Sequence, residues 1–161
     1  MYELKCRLEK KITSNSSAVL VFIDGTICDD RHRLHLFGTD DFEAPENILM
    51  DKPVFGSPEF LRELSNQYNL IYIGARSPKL MDITRQWFAV CGFPNGELYL
   101  ATTQEKRLEL VEKVLKNRNI TIGIGDRWDD NQLHLKIGCK SIIVKEYDGD
   151  WDSAMRYIDA K

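Results

Sequence analysis

Five short apolar runs, each bounded by turn residues, set the limits on what this chain can fold into: Ala18 to Ile23, Leu70 to Ile73, Leu98 to Ala101, Ile120 to Ile124 and Ser141 to Val144. They are near-continuously apolar rather than alternating, the pattern of strands covered on both faces of a parallel sheet. Segments with helical spacing lie between them, at Pro58 to Tyr68, Leu80 to Val90, Glu105 to Lys116 and Asn131 to Ile137. Strand alternating with helix predicts right-handed crossovers and a doubly wound α/β sheet, whose ligands bind at the carboxyl ends of the strands. Function is therefore expected just after each apolar run.

Local punctuation agrees with this division. Ser57-Pro58 and Ser77-Pro78 read as helix starts, a capping hydroxyl followed by proline at the first helical position, and Gly92 and Gly138 read as stops. Residues 1 to 17 match no core strand, and Ser14-Asn15-Ser16-Ser17 reads as a lead into the first one. The long connection from Phe37 to Gly56 lies beside the expected site, and a loop of that length is usually functional or disordered. With no repeat and 161 residues, one domain over 1 to 161 is expected.

Composition removes several function classes. A net charge of −3 argues against a general electrostatic grip on nucleic acid. No run approaches the roughly 18 to 20 apolar residues that cross a bilayer, and the charged N-terminus is unlike a signal peptide. Cys6, Cys28, Cys91 and Cys139 form no C-x-x-C pair or zinc pattern, so reduced thiols and a cytoplasmic location are expected. Oligomeric state is not encoded in any of these features.

The strand ends carry the chemistry. The first gives Val21-Phe22-Ile23-Asp24-Gly25-Thr26, the second Ile73-Gly74-Ala75-Arg76, and the fourth Gly125-Asp126-Arg127-Trp128-Asp129-Asp130, while Lys106 opens the helix before the fourth strand. A carboxylate, a basic side chain and an acidic cluster at neighbouring strand ends form a set suited to a divalent cation and a phosphate.

This layout resembles the haloacid dehalogenase (HAD) superfamily over about residues 18 to 145, in particular the small phosphatase branch whose second motif ends in T-G-R, as in the phosphatase part of polynucleotide kinases. The resemblance implies a three-layer sandwich with strand order 3-2-1-4-5 and no large cap domain. The family's first motif is D-x-D-G-T, with a nucleophilic first Asp and a second that acts as acid and base. Carried over, Asp24 matches the acid/base, Asp126 and Asp130 the acidic metal-site residues with Asp129 beside them, Lys106 the motif-three lysine, and Arg76 the arginine of T-G-R. The resemblance also implies phosphate contact at Gly74, Ala75, Arg76 and Lys106, and Mg2+ at Asp24, Asp126 and Asp130.

Two positions depart from that pattern. Phe22 stands where the nucleophile belongs, and Gly74 stands where motif two carries a hydroxyl. A phenyl ring offers no nucleophilic oxygen and no metal ligand, so Mg2+ is expected to bind weakly. Two functions stay open: a degenerate phosphatase-like protein that binds a phosphorylated small molecule or a macromolecular phosphate end, and a working Mg2+-dependent phosphomonoesterase using Asp24 in a non-standard role.

Each residue also has a plainer reading. The late acids of Asp126 to Asp130 are placed to cap the next helix, Arg76 to form a structural ion pair and Lys106 to face solvent. Arg31, His32, Arg33 and His35 read as a solvated face, and Trp87, Trp128 and Trp151 as packing residues. A thiol-phosphatase reading of Cys28 fails because the sixth residue after it is Leu34, not arginine.

Overall fold

The computed structural model describes residues 16–160; most of the expected N-terminal extension, with Cys6, lies outside the described residues. Strands β1 (Ala18–Phe22), β4 (Asn69–Gly74), β5 (Glu97–Leu100), β6 (Ile120–Gly125) and β7 (Lys140–Ile143) form one parallel sheet in the order β5-β4-β1-β6-β7. That is the expected 3-2-1-4-5 order of a doubly wound sheet, with β1 in the centre. A two-stranded antiparallel ribbon, β2 (Cys28–Asp29) with β3 (Lys52–Pro53), stands apart from it.

The period of two along β1 divides the core. Val19 and Val21 face Leu61 of α2 (Ser57–Leu64), Trp87 of α3 (Met81–Cys91) and Ala154 of α6 (Trp151–Asp159). Leu20 and Phe22 face Val111, Leu115 and Leu133, from the segment after α4 (Gln104–Leu110) and from α5 (Trp128–Ile137). Each fully buried aliphatic side chain contributes about 1.5–3 kcal/mol, so a strand buried on both faces anchors the domain.

Several local expectations are corrected. Ser57 is the first residue of α2 rather than its cap; Gly56 takes the cap position in left-handed backbone (φ 80), and Ser57 Oγ donates to the Val54 carbonyl at 2.7 Å. Ser77 precedes a short 3-10 turn, Pro78–Leu80, and makes no capping bond. The helix expected over Glu105 to Lys116 widens after Leu110 into a π turn, Val111–Leu115. The connection from Phe37 to Gly56 is not structureless: it holds a 3-10 turn (Asp40–Glu43), helix α1 (Pro45–Leu49) and β3. Trp128 is 71% exposed and is not a packing residue.

The approach of α5 to the sheet is set by Gly123. A Cβ there would stand 2.1 Å from His134 Cδ2, well inside contact distance of a ring that is buried against β6 with Nδ1 2.7 Å from Ser141 Oγ. Gly123→Ala is therefore expected to cost about 1–3 kcal/mol as α5 is pushed off, read as a lowered urea midpoint. Burial pushes the His134 pKa down to about 4 from 6.5. The unfolded chain takes up this proton first, so its contribution to stability is full above about pH 6.5 and falls toward pH 4. Proton NMR of the folded protein should show the His134 ring titrating near that lower value.

Candidate active site

The residues after β1 turn back at once. The Ile23 carbonyl accepts from the N–H groups of Thr26, Ile27 and Cys28, and Gly25 N–H donates to the Cys28 carbonyl at 2.9 Å. Gly25 has φ 88, and a Cβ on it would stand 2.6 Å from Asp126 Oδ2, so both conformation and space require glycine. This turn leaves Phe22 at the carboxyl end of the central strand and projects Asp24 two residues beyond it.

Asp24 meets a buried ladder of charges. Arg76 Nη2 and Nε donate to Asp24 Oδ1 at 2.8 and 3.0 Å, and Nη1 donates to Thr84 Oγ1 at 3.2 Å. The same Nη2 lies 3.3 Å from Asp51 Oδ2. Asp51, whose side chain is fully buried, in turn receives Arg33 Nε and Nη2 at 2.8 and 2.9 Å, contacts His32 Nε2 at 2.8 Å and accepts from the Cys28 thiol at 3.3 Å. Burial is the largest single influence on Arg76 and works against its charge, but the charge and hydrogen bonds of Asp24 together with the other acidic groups around it, Asp51 among them, outweigh it and the pKa is raised. Burial also lifts the Cys28 thiol well above its ordinary range, which removes it as a nucleophile.

The acidic corner is built by close backbone approach. Gly125 leaves the room in which Asp130 folds back, so that Asp130 Oδ2 accepts from the N–H groups of Asp126 and Arg127 at 2.9 and 3.0 Å and caps α5. Asp126 is fully buried in its side chain; Oδ1 accepts from Thr26 Oγ1 at 2.6 Å, while Oδ2 has no hydrogen-bond partner. Burial, with help from the neighbouring Asp130 and Glu146 charges, pushes its pKa up to about 7 against the opposing Thr26 bond.

A cavity of about 230 Å³ opens at this edge of the sheet, bounded by Phe22, Asp24, Ala75, Arg76, Arg107 and Tyr147, with Leu34, Phe37 and Phe42 as an apolar wall. Of the site residues named from the sequence, Asp24, Ala75, Arg76, Asp129 and Asp130 line it; Gly74 and Asp126 are not part of the lining, and Lys106 is exposed on α4. The neighbour Arg107 turns inward instead, with its guanidinium 5.7 Å from the Phe22 ring centroid. Arg33, read as solvated, is buried. Asp51 and Tyr147 were not singled out; Tyr147 follows a strand end, where function was expected, and its hydroxyl donates to Asp30 Oδ1 at 3.0 Å.

Magnesium needs several hard oxygens in octahedral array. Asp126 offers one buried oxygen without a hydrogen bond, 3.7 Å from Arg127 Nε, Phe22 offers none, and the Asp24 carboxylate is held in the Arg76 fork. Among the described residues no group of three or more His, Cys, Asp or Glu side chains converges on a metal position. The donor set does not fit the ion.

No family model matches the sequence, and no curated protein does. Solved structures do match in fold. A chain of the Pnkp1/Rnl/Hen1 complex superposes with a TM-score of 0.63 at 19% identity, over 86% of this chain and 48% of that one, so this chain spans about half its length. The class C acid phosphatase from Bacillus anthracis gives 0.60 at 22% identity, over 94% of this chain and 76% of that one. A haloacid dehalogenase-like hydrolase from Streptococcus pneumoniae gives 0.65 at 14% identity, over 91% of this chain and all of that one (100%).

The charge ladder yields a stability test. Asp51→Ala leaves Arg33 and Arg76 short of a buried counter-charge, and the expected loss is about 3–5 kcal/mol in urea unfolding. A loss no larger than that of an exposed substitution would mean that the arginines find other partners.

Proposed function

With a haloacid dehalogenase-like fold as the premise, we propose that this chain is a phosphatase-like protein that holds a phosphate-bearing ligand without aspartyl-phosphate chemistry. The observation that carries this reading is the pair of residues facing the cavity from the first strand end. Phe22 supplies no oxygen for in-line attack, and the oxygens of Asp24 are engaged by the buried Arg76. A carboxylate forked by a guanidinium is a poor nucleophile and a poor proton carrier, since either role requires breaking charge-assisted hydrogen bonds. This weakens the rival reading, a Mg2+-dependent phosphomonoesterase working through Asp24.

The ligand is a phosphorylated small molecule or the phosphate end of a macromolecule, entering the cavity at the sheet edge. Magnesium binding is weak because its oxygen donors are incomplete. Cys28, Cys91 and Cys139 are free thiols, in keeping with a reducing cytoplasm, and among the described residues no helix is long and apolar enough to cross a membrane.

A panel of phosphomonoesters assayed with and without magnesium is expected to give no turnover above background, while the protein binds at least one member. Wild-type turnover abolished by Asp24→Asn would establish the rival reading. Phe22→Asp is expected to create or raise phosphomonoesterase activity by about a hundredfold or more, since one carboxylate restores both a nucleophile and a metal ligand. It is better made alone than with Gly74→Thr, because a Cβ at Gly74 would stand 3.0 Å from both Ile23 Cδ1 and Leu100 Cδ2. Folding of the variant, checked by circular dichroism, is expected to survive a cost of roughly 3 kcal/mol.

A further inference from the structure

Arg107 differs from the other arginines at the cavity. Arg76 is paired with Asp24 and Asp51, Arg33 with Asp51, and Arg127 with Glu146. The guanidinium of Arg107 donates from Nη1 to the Ala101 carbonyl at 2.8 Å and from Nε to Gln104 Oε1 at 3.3 Å, both neutral acceptors. Among the described residues it forms no ion pair, although it is 6% exposed and lines the cavity. Its third nitrogen, Nη2, has no hydrogen-bond partner among the described residues. Asp130, Asp129 and Asp24 act on it through space without forming an ion pair, and a buried cation whose hydrogen bonds all go to neutral groups is an arrangement that an anion completes.

The carboxylates that share the lining do not fill this role. Asp24 is held by Arg76, Asp30 by the Tyr147 hydroxyl with Arg33 3.9 Å away, Glu43 lies 3.9 Å from Lys79, and Asp130 caps α5. Asp129 is exposed. Positive charge without an ion-pair partner among the described residues is thus concentrated at Arg107, whose guanidinium lies 5.7 Å from the centroid of the ring that stands where a carboxylate would bring in a metal. Two features that disfavour magnesium, the missing oxygen of Phe22 and the nearby guanidinium, favour an oxyanion.

Resting on the phosphate-binding reading above, we infer that the site takes its phosphate without a divalent cation, and that Arg107 is the counter-charge. The planar fork of Arg107 matches two phosphate oxygens, and binding delivers to it the anion that the fold withholds. Binding then has no requirement for the two positive charges of a metal.

The test is calorimetric titration of inorganic phosphate into the full chain, once in excess EDTA and once in excess magnesium chloride, with circular dichroism confirming that each variant is folded. The expected result is an affinity that agrees within about threefold in the two buffers, since no ligand set for the metal exists to couple them. Arg107→Met, which keeps the apolar stem over Phe22, should weaken binding by about tenfold or more, the usual scale for losing charge-assisted hydrogen bonds. Arg107→Lys, which keeps charge and loses the fork, should fall between, and it carries the same test if the methionine variant does not fold. Binding seen with magnesium alone would overturn this inference and leave the phosphate-binding reading standing. Wild-type affinity in folded Arg107 variants would overturn the role of that residue. No phosphate binding in either buffer would overturn both readings.

Discussion

The pairing of Asp24 with Arg76, continued through Asp51 to Arg33, is the interaction on which the site depends. It joins three separate stretches of chain: the turn after β1, the end of β4, and the segment that leaves and returns through the β2–β3 ribbon. Buried ions demand partners of opposite charge, and removing one member strands the rest in a medium of low polarity. The ladder therefore fixes geometry more than it adds stability. It also decides the chemistry, since the carboxylate best placed to face a ligand is committed to holding the scaffold.

Around this ladder, close backbone contacts do the shaping. Gly25 lets the first turn lie against Asp126, and Gly125 lets Asp130 cap α5 from within. The acidic residues that look like a metal cluster in sequence are thus distributed among different tasks. Asp130 satisfies backbone donors, Asp126 binds Thr26, and Asp129 stands exposed at the edge of the cavity. Sharing a short stretch of sequence does not make carboxylates converge.

The fold was legible because burial on both sheet faces writes itself as continuous apolar runs, and the turn at Asp24-Gly25-Thr26 because its chemistry is local. What escaped were long-range choices. Whether Lys106 or Arg107 faces inward depends on the phase of α4, which is set where Thr103 caps it by accepting from Lys106 N–H. Neither residue's own identity specifies that phase. Arg33 lay in a run of basic residues that reads as solvated, and its burial follows from Asp51, a residue 18 positions away in the chain with no pattern of its own. Magnesium was expected weakly from motif arithmetic alone, and the side-chain pairing of Asp24 adds a reason that no spacing could supply.

The segment that forms the apolar wall of the cavity is fastened at both ends by buried charge, through Arg33 at one and Asp51 at the other, with Arg33 Nη1 also donating to the Phe42 carbonyl at 3.0 Å. The two ends also bind each other and reach Arg76 and Asp24 at the sheet edge, so parting either end from the sheet would separate buried ions, which costs far more than parting an apolar contact. The wall therefore rises from a base that buried charge clamps to the sheet edge, so its footing is part of the ion network rather than of the apolar core.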